Sequence, residues 1–231
     1  MTDAAADPAP GSGDAAANPR AAQAERKRAR TRQRLLRATF ALLGRQDGWN
    51  TQIDDIVKEA GTGRGTFYNY FDSRAQLLDV MAYELNHGLN VAVAEAPDPV
   101  TRTCWAVRVY VRKAERDHHW GWAMVNLGVN GQQPFGEDTY RSAVETLADG
   151  MASGDFTLAN QRVGLDLVLG TGIHAIQTVC EGYGGPGYAE DVTRAVLLGL
   201  GVDLDRAQQL VAAPLPAVDI GRSHLWAAEL P

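Results

Sequence analysis

The sequence predicts an all-α protein: an N-terminal three-helix domain containing a helix-turn-helix, then a C-terminal helical domain. Three observations predict it. Apolar residues recur three and four positions apart through most of the 231 residues, while alternating strand patterns are weak. Thr51 stands three residues before Asp54, and Ser73 three before Gln76, a spacing that starts helices. Ala60-Gly61 falls where one short helix must stop before the next begins, and glycine enters the left-handed conformation there without a Cβ clash.

Taken in order, residues 1–19 are rich in Ala, Asp, Pro and Gly and read as a disordered tail. They show neither the basic start nor the apolar core of a signal peptide. A first helix covers 32–49, RQRLLRATFALLGRQDGW, and the basic run RKRARTRQR at 26–34 begins it. That run is either a solvated helix face or an arm lying along a phosphate backbone or in a minor groove. Ile53, Ile56 and Val57 form the apolar stripe of a short second helix capped by Thr51. A third, about 63–70, is too short to stand alone in water. Ser73 opens a longer connecting helix with Leu77, Leu78, Met81 and Leu85 on one side. Pro97 and Pro99 end this first domain, 20–96.

The second domain, 97–213, reads as helices at 99–117, 119–129, 135–152, 158–181 and 188–212, the last broken at Gly199 or Gly201. Only Arg162 and Asp166 carry charge between 161 and 180, so that helix is buried in a core or against another subunit. Residues 214–231 read as a loose tail. No stretch of about 18 uncharged apolar residues is present, so no membrane span is expected.

Charge is unevenly distributed. The chain carries a net −6, yet residues 20–74 hold 12 Lys/Arg against 6 Asp/Glu. Residues 1–19 carry −3, and residues 75–231 carry 10 basic against 19 acidic groups. A basic head on an acidic body suits a protein that presents one end to phosphate. A helix-turn-helix sends its second helix into the DNA major groove, so the two observations agree.

The motif residues Thr51, Ile56, Ala60-Gly61, Arg64-Gly65-Thr66-Phe67-Tyr68, Phe71, Ser73-Arg74 and Leu77-Leu78 together resemble the DNA-binding domain of the TetR family of bacterial transcription regulators. Gly63 departs from that pattern, where a serine or threonine is usual and Thr62 can substitute, and Arg74 replaces a lysine. The resemblance implies a cytoplasmic homodimer that binds a pseudo-palindromic double-stranded operator, usually as a repressor. Arg64 is then placed to read guanine, which it pairs bidentately. Gly65 allows close approach, and Thr66 meets a thymine methyl or a phosphate. Thr51, Tyr68 and Arg74 match the family's phosphate contacts, while Asn69 and Tyr70 occupy variable positions. Phe67 and Phe71 are core residues. The family also implies a dimer bundle from two late helices, here 161–181 and 188–200, and a small-molecule effector in the second domain. Trp105, Tyr110, Trp120, Trp122, Met124, Phe135, Tyr140, Met151, Phe156 and His174 are candidates to line its pocket, pointing to an apolar or aromatic effector.

Enzyme chemistry finds little support. His118 and His119 are adjacent and diverge by about 100° on a helix. His87 and His174 are isolated, and Cys104 and Cys180 are lone thiols. No Ser-His-Asp pattern, useful carboxylate pair or phosphate loop is present, the glycines at 61, 63 and 65 lack the dinucleotide-binding spacing, and the loop EGYGGPGY at 181–188 is no phosphate cradle. No metal or cofactor is expected. The alternative reading is a helical small-molecule-binding protein that has lost specific DNA binding, for which Gly63 is the one hint.

Overall fold

The computed structural model describes residues 19–130 and 135–215; of the tails expected at 1–19 and 214–231, only Pro19, which opens α1, and residues 214 and 215 fall within the described residues. Every regular element among those described is helical. The head contains α1 (Pro19–Leu43), a 3₁₀ turn (Gly48–Asn50), α2 (Ile53–Glu59), α3 (Arg64–Tyr68) and α4 (Arg74–Ala94). The body contains α5 (Pro99–Arg116), α6 (His118–Asn130), α7 (Glu137–Ser153), α8 (Gln161–Leu165), α9 (Thr171–Cys180), α10 (Tyr188–Gly199) and α11 (Leu204–Ala212).

Three local features differ from the sequence-based expectation. The first helix begins at Pro19 and stops at Leu43, and the residues after it turn sharply through the 3₁₀ segment. The cap of α2 lies one residue later than expected: Asp55 accepts from the Gln52 backbone N–H at 2.9 Å. Thr51 instead donates its hydroxyl to Gly48 O at 2.8 Å, which leaves Asp54 pointing away from the cap. The expected helix 158–181 is split by a π turn at Asp166–Gly170, between α8 and α9.

Leu35, Leu36, Leu43, Ile56, Phe67, Leu77 and Met81 are fully buried and form the head's core, holding α3 in place although it spans little more than one turn. Phe71 is buried beside Phe67, as expected of both. The α2–α3 turn is closed by two crossed bonds, Thr62 N–H to Val57 O at 2.8 Å and Gly61 N–H to Lys58 O at 3.1 Å. Gly61 has φ +60°, the left-handed residue such a helix end requires. Arg34 of α1 donates to the carbonyls of Ala60 and Gly61, satisfying the end of α2 from outside.

In the body, α5 packs against α9 and α10, and α6 against α9. Cys180 of α9 sits on Gly121 of α6, where an added Cβ would lie 2.4 Å from the sulfur. Burial pushes that thiol up to about 11, so it stays protonated at neutral pH. Two ion-pair groups fasten the last helices, one to α5 and one to its N-cap residue and the α7–α8 connection. Glu190 meets Arg112 at 2.6 Å and Arg108 at 3.4 Å, and Arg206 meets Asp155 at 2.6 Å and Asp98 at 3.4 Å.

The helical stretch Gln161–Cys180 is long and apolar enough to cross a membrane by length and composition, with mean hydropathy 1.4. It packs on the body through Gly172, Ala175, Ile176 and Val179, yet only 39% of the window is buried. Among its residues Arg162, Val163, Asp166, Gly170 and His174 are exposed, and the rest are buried or half-buried within one chain.

Candidate nucleic-acid interface

The head presents α3 at its surface. Gly63, Arg64, Gly65, Tyr68 and Asn69 are exposed, and Thr62, Thr66 and Tyr70 are half-buried. Gly63 is the N-cap residue of α3 in extended conformation, so neither it nor Gly65 needs a left-handed backbone. A Cβ built at either glycine meets nothing within 4 Å. The fold itself therefore makes no demand for glycine at these two positions, and the space is external.

Tyr68 is 52% exposed although its neighbour Phe67 is fully buried, because successive residues on a helix diverge. Arg64 leans back onto α2: its Nη2 donates to Asp54 Oδ2 at 2.9 Å and its Nε to Oδ1. Both side chains are about two-thirds exposed, so the pair is a solvated fork that a competing acceptor can open. The basic run on α1 contributes from the side. Arg28 lies 6.0 Å from the Tyr70 ring centre and Arg32 lies 5.8 Å from that of Phe71. With Arg34 on the turn, three of its arginines brace the motif, a role the sequence reading did not assign.

Thr51 and Arg74 face the other way. Thr51 is buried and its hydroxyl proton is committed to Gly48 O. Arg74 donates to Thr51 O at 2.7 Å, Trp49 O at 3.4 Å and Asn130 Oδ1 at 3.2 Å, and partial burial lowers its pKa from the usual arginine value. Asn130 in turn donates to Trp49 O at 2.7 Å. One turn earlier on α6, Asn126 donates to Leu43 O at 2.8 Å and Arg45 O at 2.7 Å. The end of α6 thus grips the α1–α2 connection with two amides, and Arg74 closes the ring. Neither asparagine carries a motif signal, since each works through backbone carbonyls remote in sequence.

The candidate pocket residues of the body differ in burial. Trp120, Met124, Phe135, Phe156 and Tyr110 are buried, Trp105, Trp122, Tyr140 and Met151 are half-buried, and His174 is exposed. A cleft of about 120 Å³ opens between α4 and the start of α7, and Phe135 alone of these residues lines it, with Asn86, Asn90 and Thr139. Tyr110 stands behind it, its ring 5.2 Å from that of Phe135 and its hydroxyl donating to Asn90 Oδ1 at 3.1 Å. No group of three or more His, Cys, Asp or Glu able to hold a metal occurs among the described residues.

A head with an exposed recognition helix, joined by one long helix to an all-helical body, defines the class of helix-turn-helix transcription regulators. Comparison with known families is more specific. The family described as bacterial regulatory proteins, tetR family, matches residues 35–81, and a tetracyclin repressor-like C-terminal domain matches residues 98–213. The chain belongs to the TetR family of transcription regulators. An HTH-type regulator encoded in the lacX 3′ region of Lactococcus lactis subsp. lactis is 41% identical over 46 residues, 20% of this chain and 24% of that one. YvdT of Bacillus subtilis (strain 168) is 38% identical over 53 residues, 23% and 27% of the two chains. These matches span about a quarter of the curated relatives' length. Among solved structures, RolR in complex with resorcinol superimposes with TM-score 0.60 at 24% identity, covering 84% of this chain and 99% of that one. The likeness establishes the shared fold.

Proposed function

We propose that the chain is a sequence-specific repressor that occupies a pseudo-palindromic operator as a homodimer and is released by a small apolar or aromatic effector. The observation that carries DNA recognition is the α3 surface itself: Arg64 and Tyr68 project beside two glycines that the fold does not require, on a head with net charge +6 over residues 20–74. Gly65 lets backbone approach the duplex, Arg64 takes guanine, and Thr62, Thr66, Tyr68, Asn69 and Tyr70 surround it. Thr51 and Arg74 serve this surface by fixing the head's geometry.

Dimerisation through residues of about 161–200 is supported by the apolar helix there, which is only partly covered and where Val163 and Leu198 are exposed. A two-fold dimer presents two α3 helices, and adjacent half-sites on B-DNA require them about 34–36 Å apart. An effector that shifts α6 or α4 would move each head through Asn126, Asn130 and Arg74 and spoil that separation. The working compartment in this reading is the bacterial cytoplasm. The test is selection of bound duplexes from a random pool. A two-fold symmetric motif whose half-sites lie one helical turn apart supports the reading, and an enriched pool without symmetry overturns it.

A further inference from the structure

Asn86, which lines the cleft between α4 and α7, carries a buried acceptor with no donor among the described residues. Asn86 is 1% exposed, and its Nδ2 donates to Ala82 O at 2.7 Å and to Phe135 O at 2.8 Å. Two carbonyl partners fix which end of the amide is nitrogen, so the other end is the oxygen, and Asn86 Oδ1 has no partner among the described residues. The polar groups beside it are occupied with one another. Asn90 donates to Thr139 Oγ1 at 3.0 Å, and the Tyr110 hydroxyl, kept protonated by burial, donates to Asn90 Oδ1. A buried oxygen without a donor is costly, so a donor brought to this position is stabilised.

Shape and charge narrow what can supply it. The cleft's volume, about 120 Å³, suits a single six-membered ring, since an apolar cavity of about 150 Å³ holds benzene. Phe135 forms one wall, buried and held at φ +64°, a conformation bulky residues rarely adopt. Its carbonyl is one of the two held by Asn86, so the strained residue and the orphan acceptor belong to one construction. Asp79, Glu137 and Asp138 also line the cleft and are exposed, whereas none of the described lining residues is Lys or Arg. Acidic edges and an acceptor floor repel a carboxylate or phosphate.

We propose that this cleft binds a neutral single-ring molecule bearing a hydroxyl or amino donor, which hydrogen-bonds to Asn86 Oδ1 while its ring packs on Phe135. The inference rests on the effector reading above and gives that effector a site and a chemical class. Asn86 and Arg74 lie on the same helix about 18 Å apart along its axis, so a ligand levering α4 reaches the clamp on the head directly.

The test is calorimetric titration of the full chain with phenol, aniline, anisole and benzoate. Phenol or aniline should bind at least about tenfold more tightly than anisole, which has the ring without the donor, and than benzoate, which has the charge. A folded Asn86→Leu variant should lose about tenfold or more in phenol affinity; should it fail to fold, the four-compound series decides alone. Equal affinity for anisole or benzoate, unchanged phenol affinity in folded Asn86→Leu, or no binding of phenol and aniline up to about 10 mM would each overturn the proposal. DNA binding without ligand is scored separately. Phenol binding without DNA binding supports the site and removes the regulator reading, and DNA binding without phenol or aniline binding removes only the site.

Discussion

Arg64 reaches back across the helix-turn-helix and donates from Nη2 to Asp54 Oδ2 at 2.9 Å, so the residue best placed to read a base is held by a carboxylate on the neighbouring helix. The pair is exposed, and the hydrogen bonds that Arg64 donates to Asp54 raise its pKa further above neutrality and orient the guanidinium. Binding DNA then exchanges one acceptor for another. Arg64→Ala is expected to relax preference at one base pair, costing about 1–3 kcal/mol there. Tyr68→Ala should weaken binding to all duplexes alike. Competition binding against single-base operator variants separates the two patterns.

Asp54→Asn has a different signature. Without its partner the guanidinium becomes a free cation, so binding to unrelated DNA should strengthen and the salt slope should steepen by about 1. The ratio of specific to non-specific affinity should fall. Titrations at several salt concentrations on operator and scrambled duplex check this.

Three glycines separate folding from recognition. Gly61→Ala places a Cβ on a residue at φ +60° and should destabilise the protein by about 1–2 kcal/mol. Gly65→Ala meets nothing within 4 Å and replaces a helix glycine, so stability should hold or rise by up to about 1 kcal/mol, while DNA affinity falls. Gly63→Ser is equally free of internal contact and should leave stability near wild type. Thermal unfolding beside DNA titration for all three provides the check.

Arg74→Ala removes the donor shared by Thr51 O, Trp49 O and Asn130 Oδ1 and should cost about 1–3 kcal/mol of stability. Because that side chain is turned inward, the salt slope of DNA binding should change little. A slope reduced by about 1 would return Arg74 to the phosphate contacts.

The Arg206 hydrogen bond, with help from Ser153, holds the Asp155 carboxyl below its ordinary value of 3.8. A carboxylate depressed on folding stabilises fully above its unfolded pKa, and the contribution is lost as pH falls through the lower folded value. Melting temperatures of wild type and Asp155→Asn should therefore differ at neutral pH, begin to converge as pH falls below about 4, and meet only below the lower folded value.

Local chemistry made the head legible. Gly61, Ser73 and the Arg64–Tyr68 run act within a few residues of themselves, so their spacing announces the turn, the α4 cap and the recognition helix. Ser73 accepts from Gln76 N–H at 3.1 Å as its spacing implies. What stayed hidden works over long separations. Asn126, Asn130 and Asn86 bind backbone carbonyls remote in sequence or across a turn, and an asparagine that does so looks like any other in sequence. The choice of Gln52 over Thr51 as cap follows from the 3₁₀ turn taking the Thr51 hydroxyl, a competition spacing cannot resolve. Aromatic residues of the body were visible as a set, but which of them meets a cleft depends on helix rotation, and Phe135 does.

The most direct test of the central claim is fluorescence anisotropy of the purified protein on a duplex from the region upstream of its own gene, beside a scrambled duplex, from about 50 to 200 mM salt. Tight binding to the native duplex that weakens steeply with salt, and loses its sequence preference in Arg64→Ala, is the predicted result. Absence of binding to either duplex at the lowest salt would contradict the account.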